Sequence, residues 1–393
     1  GVCMKANIIN KNMWKYVDWF LIVIIVVLVG YSLLSIINVT ASPFTGDESG
    51  FAEFFANLNL NSAMWQLIFF GIGIGAMFFV LLLDYHDVKH FINLIYWICI
   101  ALLVAVRFLG SEQRGTTGWF MIGNRGFQPG EVAKIAIILV LAKVMSDKTE
   151  GNDNGIATMK DAWPAIWRFL IPVALIMSQP DFGTAMVYVF IFAVMLFMAR
   201  ASWKVILILV GCVAIALPIL WFSLADWQRL RIFSFLDPSY ATTDAGMQVN
   251  QAKMAVGSGQ MFGKGLFAPG SLSQLDYVPE KHNDFIFAVT TEAFGFMGAL
   301  VLIVLYFLLI GRTFMLSLRA KDDFGAYIII GVAAMTLFHV VENIGMNIGM
   351  LPVTGIPLPF FSYGGSNMLT NCIAFGMVLS VDMRRQRWQV HHR

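Results

Sequence analysis

The 393-residue chain is 58% hydrophobic and 13% charged, with a formal net charge of +2 at pH 7. A soluble globular domain, in which about a quarter of residues are charged, is excluded by that composition, and the small net charge excludes an electrostatic grip on nucleic acid. Cys99, Cys212 and Cys372 stand inside apolar runs, without the spacing of a metal site or a disulfide framework.

Gly1-Val2-Cys3 precedes Met4 and reads as a remnant ahead of the natural start, which leaves residues 4–393 as a single polytopic membrane domain. A bilayer core about 30 Å thick calls for roughly 20 apolar residues per helix. Ten such stretches follow in order, at 19–39, 65–83, 91–109, 131–146, 167–179, 183–199, 203–222, 284–310, 325–345 and 367–383. The predicted fold is all-α and integral to a membrane, with about ten transmembrane helices. The basic start at Lys5, Lys11 and Lys15 leads into an apolar run from Trp19 that is longer than a signal-peptide core, so it reads as an uncleaved first helix. The stretches 131–146 and 167–179 are short, which predicts helices that are tilted, broken or buried in protein.

Lysine and arginine resist transfer across the membrane and collect on the cytoplasmic side. With both termini inside, the inner segments hold Lys5, Lys11, Lys15, Lys89, Lys143, Lys148, Lys160, Arg168, Arg200, Lys204, Arg312, Arg319, Lys321, Arg384, Arg385, Arg387 and Arg393, a clear majority of the 26. The outward connections are then the unusual ones. Residues 40–64 place Phe51, Phe54, Phe55 and Leu58 at the spacing of a short helix that either packs on the bundle as a lid, the favoured reading, or lies in the membrane interface. Residues 110–130 are a glycine-rich, aromatic-bearing loop, and residues 223–283 form a large extracytoplasmic loop between helices 7 and 8, long enough to predict partial helices. Residues 351–366, Leu-Pro-Val-Thr-Gly-Ile-Pro-Leu-Pro-Phe-Phe-Ser-Tyr-Gly-Gly-Ser, cannot be a regular helix. Irregular backbone at membrane depth is tolerated only when buried in protein or lining a wet cavity, so this segment predicts a pocket wall. No internal repeat is evident, which weighs against an inverted-repeat transporter.

Each ionisable residue inside the membrane needs a partner or a task. Glu131 and Lys134 share a helix face and either neutralise each other or contact a ligand. Asp181 stands where one helix ends and the next begins and reads first as a cap. Glu292 and Glu342 read as structural. Asp284, beside His282 at the mouth of the eighth helix, is either a general base or an N-terminal helix carboxylate.

Several of these segments together resemble the SEDS family (shape, elongation, division and sporulation proteins), membrane peptidoglycan glycosyltransferases, and within it the RodA-like rod-shape branch. The resemblance rests on Gly115 to Trp119 and Phe127-Gln128-Pro129-Gly130-Glu131-Val132-Ala133-Lys134, and on Gln179 to Thr184 and Gln251 to Gly259. It continues through Gly263-Lys264-Gly265, Ser273 to Phe287 and Leu351 to Ser366, and so spans most of the chain. It implies that Asp284 is the catalytic carboxylate and that Gln128, Glu131, Lys134 and Asp181 border the cavity. Trp119, His282 and Ser362, within the matching segments, become candidate substrate contacts, and Lys134, Lys253 and Lys264, with Arg229 ranked behind them, candidate cations for a leaving pyrophosphate. Gly130, Asn283 and Ala293 depart from the family's usual Ser, Thr and Glu, which puts the tuning of the carboxylate in question.

The resemblance further implies lipid II, an undecaprenyl-pyrophosphate-linked disaccharide pentapeptide, as substrate, polymerised at the outer face of the bacterial cytoplasmic membrane during cell elongation. It implies a class B penicillin-binding protein transpeptidase and elongation-complex proteins as partners. No metal-ligand cluster is legible, so Mg2+ or Mn2+ is expected only as an ion shared with substrate phosphates. The competing classes are a lipid-linked precursor flippase and a non-catalytic scaffold for the transpeptidase.

Overall fold

The computed structural model describes residues 13–40, 58–113, 116–123, 125–152, 155–224, 226–236 and 244–385. Within them, each of the ten apolar stretches falls on one helix. These are α1 (Trp19–Thr40), α2 (Asn61–Leu82), α3 (Tyr85–Leu109), α4 (Pro129–Thr149), α5 (Met159–Met177), α6 (Phe182–Met198) and α7 (Trp203–Ser223), then α10 (Ile286–Ser317), α11 (Asp323–Asn347) and α12 (Gly365–Arg384). The long loop carries the expected partial helices, α8 (Asp226–Leu236) and α9 (Asp244–Ser258). Five helices, α1, α2, α3, α10 and α11, are long and apolar enough to cross a membrane by length and composition alone.

The helices read as short are full length, 21 residues for α4 and 19 for α5. α4 starts with the charged turn Glu131 to Lys134, whose members neutralise each other inside the helix, and it is buried on every side at the centre of the bundle. α5 begins earlier because a capping box of Thr158 and Asp161 opens it, and it tolerates Pro164 and Pro172 inside. Asp84, Thr158, Ser202 and Asp322 each cap the helix that leaves one end of the bundle.

The expected helical membrane fold stands, and the glycine-rich loop 110–130 adds a small sheet to it. The loop folds into three antiparallel strands, β1 (Ser111–Gln113), β2 (Thr116–Ile122) and β3 (Arg125–Phe127), in that spatial order, with Phe120 opposite Phe127 and Ile122 opposite Arg125. The short helix expected from Phe51, Phe54 and Phe55 lies outside the described residues.

α10 breaks at Gly295, whose φ of 70° suits glycine. Loop backbone from 260–265 takes over the interrupted hydrogen bonds: Lys264 N–H donates to Glu292 O at 2.9 Å, and Phe296 N–H to Gln260 O at 2.9 Å. A helix can be broken at this depth only because the freed groups find protein partners.

The same rule governs segment 351–366. Its carbonyls are met one by one by side chains of the surrounding helices: Ile356 O by Asn343 Nδ2 at 2.8 Å, Pro357 O by His339 Nδ1 at 3.1 Å, Pro359 O by Tyr306 Oη at 2.7 Å, and Ser362 O by Gln66 Nε2 at 3.1 Å. The segment is a half-buried wall in which these four carbonyls are held by the surrounding helices.

Candidate active site

Four helices begin at the same place. Gln128, Asp181, Phe285 and Gly364 are the caps that open α4, α6, α10 and α12, and all four border one cleft. Each helix N-terminus carries roughly half a positive charge, so their convergence makes the cleft receptive to anions.

The cleft has two lobes that share Trp119, Gln128, Glu131, Asp284, Gly355 and Pro357. The first, about 470 Å³, is bounded by Lys134, Asp181, Thr184, Arg231, Gln248 and Glu280. The second, about 690 Å³, is bounded by Trp65, Phe69, Tyr363, Ser366 and His282, and reaches Ile72 on the exposed face of α2. One lobe is ionic and the other largely aromatic, with the buried Asp284 in the wall between them.

Glu131 and Lys134, which by sequence either neutralise each other or contact a ligand, form a pair that borders the first lobe. Lys134 Nζ donates to Glu131 Oε1 at 2.7 Å and stands 3.0 Å from His339 Nε2, with all three side chains buried. His339 Nδ1 faces the Pro357 carbonyl and so carries the ring proton, which makes Nε2 the acceptor. The other oxygen, Glu131 Oε2, is buried without a hydrogen-bond partner among the described residues. A carboxylate oxygen in that position is able to accept an N–H, an O–H or a cation.

Asp181 is likewise both cap and wall. Its carboxylate accepts Thr184 N–H at 3.0 Å and Gln128 Nε2 at 2.9 Å while bordering the first lobe. Burial pushes its pKa above the usual carboxylate range, against the pull of the Thr184 hydrogen bonds. Trp119 is placed by β2, and its indole lies flat over Gly126 of β3, where a Cβ would meet the ring at 2.5 Å. Gly355, at φ +74°, brings segment 351–366 against Asp284 Oδ2.

Three expected contacts are elsewhere. Lys253 is an exposed residue of α9 whose stem lies on Gly349, away from both lobes. Lys264 is engaged by Glu292 at 2.7 Å, and Glu292 also accepts Leu272 N–H and Ser273 N–H. That ion pair pins the long loop to the break in α10, because a buried carboxylate recruits the nearest cation. Ser362 is fully buried and accepts Leu358 N–H while donating to Asn283 O at 2.7 Å, so it shapes the wall without facing the cleft. His282 does border the second lobe, edge-on to Tyr363.

Arg231 of α8 is the cation that sequence reasoning missed. It reaches the first lobe, with Nη1 3.4 Å from Val353 O; burial lowers its pKa, while the charges of Asp284 and Asp181 hold it up. Its loop position gave no periodic or motif signal. His339 also went unremarked, although an imidazole in an apolar helix is the kind of residue that calls for a partner.

Comparison with known proteins agrees with this architecture. The family model FTSW_RODA_SPOVE, described as cell cycle protein, matches residues 18–387. The chain is 40% identical over 293 residues to peptidoglycan glycosyltransferase MrdB of Escherichia coli K12, covering 74% of this chain and 78% of that one. It is 31% identical to peptidoglycan glycosyltransferase RodA of Treponema pallidum, over 81% of this chain and 89% of the relative. A solved structure described as the structural coordination of polymerization and crosslinking by a peptidoglycan synthase complex superposes with a TM-score of 0.75 at 27% identity, covering 94% of this chain and 99% of the other. The chain therefore belongs to the FtsW, RodA and SpoVE family of cell cycle proteins, on its RodA-like branch.

Proposed function

We propose that this membrane enzyme is a peptidoglycan glycosyltransferase that polymerises lipid II into glycan strands, with Asp284 as its general base. The observation that carries the reading is the placement of the buried Asp284 carboxylate, beside the Lys134-paired Glu131, between an ionic lobe and an aromatic lobe, the arrangement a reaction between two sugar substrates needs. The names of the relatives support the reaction class.

In this reading the donor's pyrophosphate lies in the ionic lobe, near Lys134, Arg231 and the helix N-termini, and the acceptor lies in the aromatic lobe. The acceptor's 4-hydroxyl attacks the anomeric carbon of the donor's N-acetylmuramic acid. The new C–O bond forms as the bond to lipid pyrophosphate breaks, the α linkage inverts to β, and the hydroxyl proton passes to Asp284. General-base catalysis of this kind is typically worth about a hundred- to ten-thousandfold. Glu131 Oε2 takes an N–H or O–H of the substrate, and fixed cations stabilise the charge developing on the leaving group.

A divalent ion fits the donor chemistry of the cleft. Among the described residues no three carboxylate, imidazole or thiol side chains converge on one point, but Glu131 Oε2 and Asp284 are hard oxygen donors of the type Mg2+ or Mn2+ takes alongside substrate phosphates. Held there, such an ion would offset the charge of the pyrophosphate.

The cleft faces the extracytoplasmic side of the bacterial cytoplasmic membrane, with both termini inside. Helices that open at the cleft close with Lys148, Arg200, Arg319 and Arg384 at or just beyond their far ends, which is the side where basic residues are retained. A class B penicillin-binding protein is the partner, in line with the polymerization and crosslinking complex that the fold matches.

Purified lipid II offered to wild type and Asp284→Asn, each with and without a class B partner, tests the reading. Polymer from wild type and a loss of at least a hundredfold in Asp284→Asn is expected. Equal polymer from both would remove Asp284 as base, and none from either would return the flippase or scaffold.

A further inference from the structure

Three consecutive backbone carbonyls lead up to the Asp284 side chain, and each is held by a different group. His282 O accepts Tyr363 N–H at 3.0 Å and Asn283 O accepts Ser362 Oγ at 2.7 Å. Asp284 O accepts two amides from α11, Asn343 Nδ2 at 2.9 Å and Asn347 Nδ2 at 3.1 Å.

α10 opens on its cap Phe285, so the N–H of Ala288, in the first turn, has no acceptor within the helix. Here Ala288 N–H donates instead to Asn347 Oδ1 at 3.1 Å, and the same amide returns a hydrogen bond to Asp284 O. One side chain thus satisfies the free N–H of Ala288 and ties Asp284, just ahead of α10, to α11. Asn343, one turn earlier, joins Asp284 O to Ile356 O at 2.8 Å, and so to the segment whose Gly355 packs on the Asp284 carboxylate. Both asparagines are fully buried. A buried polar group left unmade costs about 1–3 kcal/mol, and an apolar side chain at either position would orphan backbone groups that these amides satisfy.

We infer that Asn343 and Asn347 are positioning residues for the transferase reaction: they fix the Asp284 backbone outside the helix and thereby aim its carboxylate at the junction of the two lobes. The inference rests on the reading of Asp284 as general base. Neither asparagine borders the cleft, so their effect passes through the backbone they hold, Asp284 and, for Asn343, the wall at Ile356.

The test is the steady-state polymerisation of lipid II by the full-length chain carrying Asn343→Ala, Asn347→Ala or both, with melting temperatures measured alongside. Asn371→Ala serves as the control. Asn371 forms an equivalent buried pair with Asn367 on α12, at 2.7 Å, without touching Asp284. Displacing a reacting group by about 1 Å costs on the order of a hundredfold, so kcat should fall ten- to a hundredfold in the Asn343 and Asn347 variants while KM for lipid II stays within about twofold. Asn371→Ala should keep its kcat. If an alanine variant does not fold, Asn343→Gln, which retains the amide but lengthens its reach, should fold and show the same loss of kcat. Active wild type with unchanged kcat in folded Asn343 and Asn347 variants, or an equal loss in Asn371→Ala, overturns the positioning role alone. Wild type that makes no polymer overturns the functional reading and this inference with it.

Discussion

Lys134 Nζ lies 2.7 Å from Glu131 Oε1 and 3.0 Å from His339 Nε2, so a single buried ammonium joins α4 to α11 beneath the cleft. Removing one partner of a buried pair leaves the other charge unpaired, at a cost of about 3–5 kcal/mol. Lys134→Ala is therefore expected to lose both thermal stability and polymerisation. Glu131→Gln keeps an uncharged partner for Lys134, and should lower activity with a smaller fall in melting temperature. Equal melting temperatures for wild type and Lys134→Ala would contradict the pairing.

The two cations Arg231 and Lys253 provide a contrast within one loop. A hydrogen bond to a charged group contributes about 1.5–3 kcal/mol, so Arg231→Ala should reduce kcat/KM for lipid II by roughly ten- to a hundredfold. Lys253→Ala, an exposed change away from both lobes, should leave it within about twofold. Similar losses in both would place the pyrophosphate nearer the loop surface than the ionic lobe.

Gly355 holds φ at +74° against Asp284 Oδ2. A Cβ there is strained at a cost of about 1–2 kcal/mol, and relief of that strain moves the wall on which the carboxylate rests. Gly355→Ala is expected to depress kcat about tenfold or more with the protein still folded, read from polymer yield and from gel filtration in detergent. Wild-type kcat in this variant would show that the wall does not position Asp284.

At the opposite end of the bundle, Asp84 accepts His86 N–H at 3.1 Å and faces Arg384 Nε at 3.5 Å. Burial alone would raise its pKa, but the His86 hydrogen bonds and the Arg384 charge outweigh it and bring the carboxyl from 3.8 to about 2. A folded pKa below the unfolded one adds stability that is complete above about pH 4 and disappears as pH falls through about 2, worth at most about 2 kcal/mol. Melting curves should show Asp84→Asn less stable than wild type at pH 7, with the gap closing in strong acid. A gap that widens on acidification would reverse the sign and reject the assignment.

The ten helical stretches were legible because a run of apolar residues matching the bilayer is a local signal that needs no knowledge of neighbours. The resemblance likewise marked Asp284, Glu131, Lys134, Asp181, Gln128 and Trp119, all of which border the cleft. What a side chain touches across the bundle was not legible. Lys253 and Lys264 occupy equally basic positions in one loop, yet one is exposed and the other is taken by Glu292, 28 residues away. The strands of 110–127 lack clean alternation and are held by pairing with one another and by the helices beneath. Arg231 meets segment 351–366 across 122 residues of chain, and Asn343 and Asn347 meet Asp284 across 59 and 63. Sequence by itself set which segments enter the membrane, through the free energy of transferring apolar surface from water. Only tertiary packing decided which buried polar groups meet, because in a medium without water each must find its partner on whichever helix lies opposite.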